Sequence, residues 1–549
     1  MSSFAPVLLR PRALAVLAGL ALLALVVAAC EAEDPEDPEE VEEPEEPEDP
    51  EEPEDPEDPE DAEAAAPEAF REDPDCFGIE PEGLSLDSVT CGSVTVPAHH
   101  DDPEGDTIDL AVAVLPGSDE DDGTPTMVLG GGPGEVMIET ALTEPQAQDR
   151  YLGERDVILL DQRGVGASDP ALDCPELDEE DEDPGPVDVS EALDELEACR
   201  DDLVDEGIDL DAFNHVANAE DVDAVRAALG HDEVDLRGTS YGTHLALHAA
   251  ARNPDGVRSL VLSSPIDPTA NYLDTIAPGF EDSLDAVSAA CAQAPECGQA
   301  VGDVDEVIDE VRTRLDDDPV EVTVTPPEGE ETTETYDAEA FVNALFTLFY
   351  LADGAFALPA LVDDAAQGDL EPLAEIVAQV EQQLEDTTTP GMQFSMICSG
   401  EGPGFDLDAA REDVTAPAVT EQWLPSSAVG GEVTEEACAR WDVDQAFDPD
   451  DLALPTDVPA LVVTGELDHV TPPALGEQVA DALEVAHLVE VPGVGHAPLE
   501  SLDLFVEGCE DALVEAFLAD PQAEPDVACV DQMPPFEPLG ELPEEPEAP

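Results

Sequence analysis

The chain has 549 residues, of which 138 are Asp or Glu and 15 are Arg, with no Lys, for a formal net charge of −123. That length can bury a large core, in one big domain or two. The charge argues against nucleic acid and anionic membrane surfaces as partners, because each would face a like-charged protein.

Residues 1–29 carry Arg10 and Arg12, then an apolar run from Ala13 to Val27 that closes in small residues. The run is short and acidic sequence follows, which predicts an export signal, not a retained membrane helix. Val27-Ala28-Ala29-Cys30 resembles the lipobox of prokaryotic lipoproteins. That resemblance implies cleavage that leaves Cys30 as a lipid-modified N-terminus, tethering the protein outside the cytoplasmic membrane. A plain secretory signal is the alternative. Residues 30–69 form a Glu/Asp/Pro linker holding 23 of the acidic residues. Proline blocks helix and sheet, like charges repel and nothing apolar seeds a core, so an extended, disordered stalk is expected.

Acidic residues remain in excess beyond the linker, dispersed through otherwise ordinary globular sequence. In dilute salt such self-repulsion opposes compaction, whereas concentrated salt shortens the Debye length to a few ångströms. The expectation is a halophilic enzyme with a brine-adapted surface; a cation-binding polyanion is the competing reading. With Cys30 set aside, ten cysteines remain, an even number in a chain marked for export. They fall in order as neighbours: Cys76 and Cys91, Cys174 and Cys199, Cys291 and Cys297, Cys398 and Cys438, Cys509 and Cys529. Neighbour pairing is the hypothesis among many possible schemes. The absence of C-x-x-C spacing argues against zinc.

Residues 70–267 read as the first part of an α/β core. Cys91–Pro97 and Thr107–Val114 have the alternating, β-rich character of a hairpin. The strand at Pro125–Leu129 ends in Gly130-Gly131-Gly132-Pro133-Gly134, where backbone amides can approach a ligand unobstructed by a Cβ. Asp156–Leu160 is a buried strand followed by Asp161-Gln162-Arg163-Gly164, read as a structural turn that positions the glycine loop. After an acidic segment and a helix over Ala219–Leu229, a strand from Val234 enters Gly238-Thr239-Ser240-Tyr241-Gly242, and an Ala-rich helix leaves it. This is a G-x-S-x-G elbow in its strand–turn–helix setting, which thrusts the Ser240 hydroxyl out as a nucleophile. The helix N-terminus behind it offers unpaired N–H groups to a developing oxyanion. The Tyr241 amide, with Gly131 and Gly132, is the expected oxyanion hole.

Gly256–Ser264 is the next strand, and the alternating β/α series predicts a mostly parallel sheet with helices on both faces. Residues 268–450 break the series with helical patterns at Ala277–Leu315, Ala338–Leu351 and Ala355–Glu385 and a β-like insert near Val320–Thr325. They read as a helical cap inserted over the pocket. The α/β pattern resumes over residues 451–532, and 533–549 read as an acidic, proline-rich tail. Strand Val458–Thr464 ends near Asp468, and strand His487–Val491 leads to Gly493-Val494-Gly495-His496. Ser240, Asp468 and His496 each follow a strand's C-terminal end, where chemistry in open α/β sheets gathers. A serine hydroxyl needs an imidazole to take its proton, and the imidazole needs a carboxylate to fix its tautomer. Asp267 is the second candidate for the acid.

The order Ser240…Asp468…His496 is that of the α/β-hydrolase fold. With Gly131-Gly-Pro-Gly134, Asp161-Gln-Arg-Gly164, Gly465-Glu-Leu-Asp468, the Cys91-Gly-x-x-x-Val-Pro97 opening and Cys438-Ala-Arg-Trp441, the chain resembles the serine aminopeptidases of that fold. These are the prolyl and tripeptidyl aminopeptidases, and the likeness spans roughly Cys76 to Val530. It implies acyl-enzyme hydrolysis of peptides from a free N-terminus with no metal or cofactor. It also points to Glu401 as a carboxylate for the substrate ammonium, against the alternative of a solvated surface charge. One departure is Gly130, where the family often carries His. The same constellation serves esterases and amidases, the nearest alternative; a surface binding protein without turnover is the third.

Overall fold

The computed structural model describes residues 69–79, 81, 88–117, 123–143, 155–175, 177, 189–325, 332–412, 414–446, 452–454, 457–540 and 542. The expected signal, Cys30, nearly all of the linker and the last residues of the tail lie outside that set. Among the described residues no helix is long and apolar enough to cross a membrane.

Among the described residues nine strands form one sheet: β1 (Arg71–Glu72), β2 (Thr90–Pro97), β3 (Thr107–Leu115), β4 (Thr126–Leu129), β5 (Val157–Asp161), β6 (Val234–Thr239), β7 (Val257–Ser263), β10 (Ala460–Gly465) and β11 (Ala486–Val491). Their spatial order is β1-β2-β3-β5-β4-β6-β7-β10-β11. The pairs β1/β2, β2/β3 and β3/β5 are antiparallel, and every pairing from β5 to β11 is parallel. Two-residue alternation decides which side chains meet which helices. In β7, Leu260 and Leu262 face a core shared with Leu245 and Val222, while Val261 faces the opposite core with Leu502 and Phe517. Both faces are therefore covered, as buried parallel strands require.

The register brings the C-terminal strand ends level. Leu129 and Leu262 both stand beside Gly238, Thr239 beside Ser263, and Ser263 beside Val463. The loops after β4, β6, β7 and β10 thus leave the sheet at one rim.

Between β7 and β10 lies the helical region, with its own core around Phe280, Phe341, Phe349, Leu358 and Trp423. The pattern expected as one helix over Ala277–Leu315 is three, Leu273–Gln293, Pro295–Ala300 and Val304–Asp317. Proline starts the second, and Gly302 at φ +88 separates it from the third. Ala355–Glu385 is likewise split, at the left-handed Gly368, into Gly354–Gln367 and Glu371–Thr387. The β-like insert is a hairpin of β8 (Val320–Val324) and β9 (Thr332–Tyr336). The acidic stretch before the elbow contains an unforeseen helix, Val189–Asp205. All five neighbouring cysteine pairs are disulfides. The front of the expected tail is docked: Phe536 meets Phe356 edge-on at 4.8 Å, and the Leu539 amide donates to the Phe356 carbonyl at 2.8 Å. Two apolar anchors in an acidic segment explain that attachment.

Candidate active site

The elbow begins with β6, whose buried residues run straight into Ser240. Ser240 sits at φ 54, ψ −123, a backbone state that costs about 1–3 kcal/mol and persists only where its surroundings enforce it. The enforcement is visible in the two glycines. A Cβ on Gly238 would lie 2.3 Å from the Gly242 backbone, and one on Gly242 would lie 2.1 Å from the Leu129 carbonyl oxygen. The Ser240 amide donates to the Ser263 carbonyl, which ties the turn to the neighbouring strand end. The elbow helix, Tyr241–Arg252, then starts with its first amides unpaired within the helix.

Asp468 stands in the turn after β10. Its Oδ1 accepts from the amides of Val470 and Thr471, and its Oδ2 from the hydroxyls of Ser264 and Thr471. The His496 Nδ1 lies 3.0 Å from Oδ1 and 3.1 Å from Oδ2. Burial alone would raise this carboxyl, but the imidazole and the Ser264 hydroxyl outweigh it and hold the pKa at about 2. Asp468 is therefore ionised throughout the physiological range. Asp267 instead accepts from the amide and hydroxyl of Thr269. The structure couples His496 to Asp468.

His496 is carried by a loop pressed against the helical region. Its amide donates to the Phe349 carbonyl, and a Cβ on Gly495 would lie 2.3 Å from that same oxygen. Ser264, itself left-handed at φ 53, bridges the site: its hydroxyl donates to Asp468 and accepts from the Ala497 amide. Elbow, acid and imidazole loops thus converge at Ser263–Ser264. The Nε2 of His496 has no hydrogen-bond partner among the described residues, so the Ser240 hydroxyl does not yet engage it. Ser240, Asp468 and His496 are 3%, 1% and 1% exposed, so the site is enclosed.

The glycine loop bends through Gly132 at φ +101 and Gly134 at φ +104. Of its two expected donors, the Gly131 amide is taken by the Glu135 carboxylate at 2.6 Å. Among the described residues no such bond takes the amides of Gly132 and Tyr241. The Asp161–Gly164 turn is structural, as expected. Asp161 accepts from the amides of Met137, Ile138 and Ala167, Gln162 donates to the Gly130 carbonyl, and Arg163 pairs with buried Asp221. Burial raises Asp161 to about 6, against the pull of its three amide donors.

Glu401 is buried, not a solvated surface charge. Its Oε2 lies 3.2 Å from His215 Nε2 and its Oε1 2.9 Å from His244 Nε2. Burial would raise its pKa, but the two imidazoles hold it well below the carboxylate range. His244 is one turn from Ser240 on the elbow helix, a position the i, i+4 spacing could have flagged. His215 has no such local signal. His469, next to the acid, is packed among Phe346, Phe349 and Tyr350, and burial depresses it to about 3, which keeps it neutral. Among the described residues no group of three or more His, Cys, Asp or Glu could hold a metal ion.

Two family models match the chain: the alpha/beta hydrolase fold over residues 127–299 and the TAP-like protein family over residues 426–529. Serine protease Hip1 of Mycobacterium tuberculosis is 27% identical over 467 residues, covering 81% of this chain and 87% of that protein. Carboxylesterase B of the same species is 29% identical over 225 residues, 38% of this chain and 43% of that one. Tripeptidyl aminopeptidase of Streptomyces lividans is 30% identical over 201 residues, 34% of this chain and 37% of that one.

Proposed function

Because this chain is a serine hydrolase of the α/β-hydrolase serine aminopeptidase family, we propose that it releases residues or short peptides from peptide N-termini, with Ser240, His496 and Asp468 as its catalytic triad. The observation that carries the reading is the Asp468–His496 couple at the rim where the strained Ser240 leaves β6. Ser240 Oγ attacks the scissile carbonyl as His496 Nε2 takes its proton, and Asp468 stabilises the resulting imidazolium. The amides of Gly132 and Tyr241 receive the oxyanion. His496 then gives the proton to the leaving amine, the C–N bond breaks, and water, deprotonated by the same imidazole, releases the acyl group and restores Ser240.

Glu401 receives the α-ammonium of the substrate. A buried carboxylate opposite a free N-terminus favours exo-cleavage, because an internal peptide segment brings no cation to it. The cap over residues 268–450 limits entry to chain ends. The five disulfides suit an oxidising compartment, and we place the enzyme outside the cytoplasm, anchored through lipid on Cys30 and working in brine. The second reading, an esterase, is favoured by the likeness to carboxylesterase B.

The test uses the protein in molar salt with aminoacyl- and tripeptidyl-naphthylamides, a p-nitrophenyl ester and a fluorophosphonate probe. Amide turnover with labelling of Ser240 is expected. Ester turnover alone would establish the esterase instead, and an unlabelled Ser240 would end the enzymatic assignment of this site.

A further inference from the structure

We propose that Tyr350 contacts the substrate, its phenol donating a hydrogen bond to a backbone carbonyl of the peptide bound under the cap. Tyr350 follows the helix Ala338–Leu348 and is fully buried, yet its hydroxyl has no hydrogen-bond partner among the described residues. Leaving such a group unmatched destabilises the fold, a penalty that phenylalanine would avoid at the same size. Tyr241 is the contrast. It is equally buried, but its hydroxyl reaches Asn218, His215 and the Met396 sulfur.

The ring's location ties this hydroxyl to the site. Tyr350 stands edge-on to His496 with centroids 5.5 Å apart and to His469 at 4.7 Å. The preceding carbonyl, on Phe349, accepts the His496 amide, so the cap is latched to the imidazole loop at this residue. His496 Nε2, which exchanges the proton in the reaction, and both ring nitrogens of His469 are further buried polar atoms at this seam without a hydrogen-bond partner among the described residues. The phenol and the two imidazoles thus bring partnerless polar atoms together where their rings stand edge-on, and no described residue satisfies them.

The phenol oxygen can also accept a bond from an N–H, but its own proton, unmatched by any described residue, calls for an acceptor. Burial, and behind it the Asp468 carboxylate and Tyr272, push the phenol well above its ordinary pKa, so it keeps its proton. A peptide's amides and α-ammonium are donors; its acceptors are carbonyl oxygens. The phenol proton therefore meets a carbonyl.

This inference rests on the peptidase reading, and Y350F separates the two. Wild type and variant are compared in molar salt for tripeptidyl-naphthylamide hydrolysis, fluorophosphonate labelling and thermal unfolding. Peptide kcat/KM should fall roughly 10–100-fold. Labelling by the probe, which has no peptide carbonyl, should stay within about twofold, and Tm should match or exceed wild type. Unchanged peptide turnover overturns the proposal. So does an equal fall in labelling, because the phenol would then act through His496. A Tm several degrees lower overturns it too, because the hydroxyl would have a partner in the fold. Wild-type protein that is labelled yet cleaves no peptide overturns the peptidase reading itself, without reference to the variant.

Discussion

Two buried carboxylate–imidazole couples flank the elbow, and they are built differently. Asp468 is met by four neutral donors, two amides and two hydroxyls, before His496 is counted. Glu401 is met at its carboxylate by two imidazoles, His215 and His244, with His248 against His244 at 4.7 Å between ring centroids. In the first couple neutral dipoles secure the anion, which leaves the imidazole free to gain and lose a proton. In the second the anion is held by imidazole rings, and burial favours the neutral form of His244, so the carboxylate keeps negative charge that an arriving cation can meet. Under the proposed mechanism the difference separates an acid that stays charged through the reaction from a carboxylate that receives the substrate's ammonium.

The largest expected break in this comparison is D468N. It preserves shape but offers Nδ1 the wrong partner, and kcat should drop about 10⁴-fold, as in the analogous triad substitution of another serine hydrolase. The fall should show in burst kinetics with KM nearly unchanged. A loss below tenfold would mean that Asp468 is not the orienting acid.

Next is H244A, which strips one imidazole from a buried carboxylate. Leaving that carboxylate oxygen unmatched costs about 1–3 kcal/mol, read as a lower denaturant midpoint. E401Q in the H244A background should recover much of that stability. No recovery would show that His244 stabilises by packing alone.

E401Q by itself should leave the Asp468 couple intact and act on recognition. Hydrolysis of substrates with a free N-terminus should fall roughly 10–100-fold, through KM, while N-acetylated analogues are unaffected. Equal loss on both would remove Glu401 from substrate binding.

The smallest effect sharpens the contrast in titration. Asp468 is held at about 2 against an ordinary 3.8, so the native state binds its proton less readily than the unfolded chain. Its stabilisation, roughly 2 kcal/mol, is therefore present above the ordinary value and lost as pH falls through about 2. The difference between wild-type and D468N denaturant stability should shrink across that window. A constant difference would contradict the depressed pKa.

What was legible in the sequence was what turn chemistry and strand order encode locally. Gly238, Ser240 and Gly242 announce the elbow because no residue with a Cβ fits beside Ser240 at the flanking positions. Asp468 and His496 follow strand ends, and the five cysteine couples close between sequence neighbours. The helical insertion between β7 and β10 showed as a lapse in β/α alternation, though its breaks at Pro295 and Gly368 were read through. Other features were settled by tertiary packing. His215 reaches Glu401 across 186 positions, Phe349 latches the cap to His496, and Phe536 ties the chain end to Phe356. The Gly131 amide, a donor by motif, is claimed by Glu135 four residues on. The physical reason is range: backbone turns are dictated by the few residues that make them, whereas a buried charge finds its counter-charge only when the cap and sheet have closed around it.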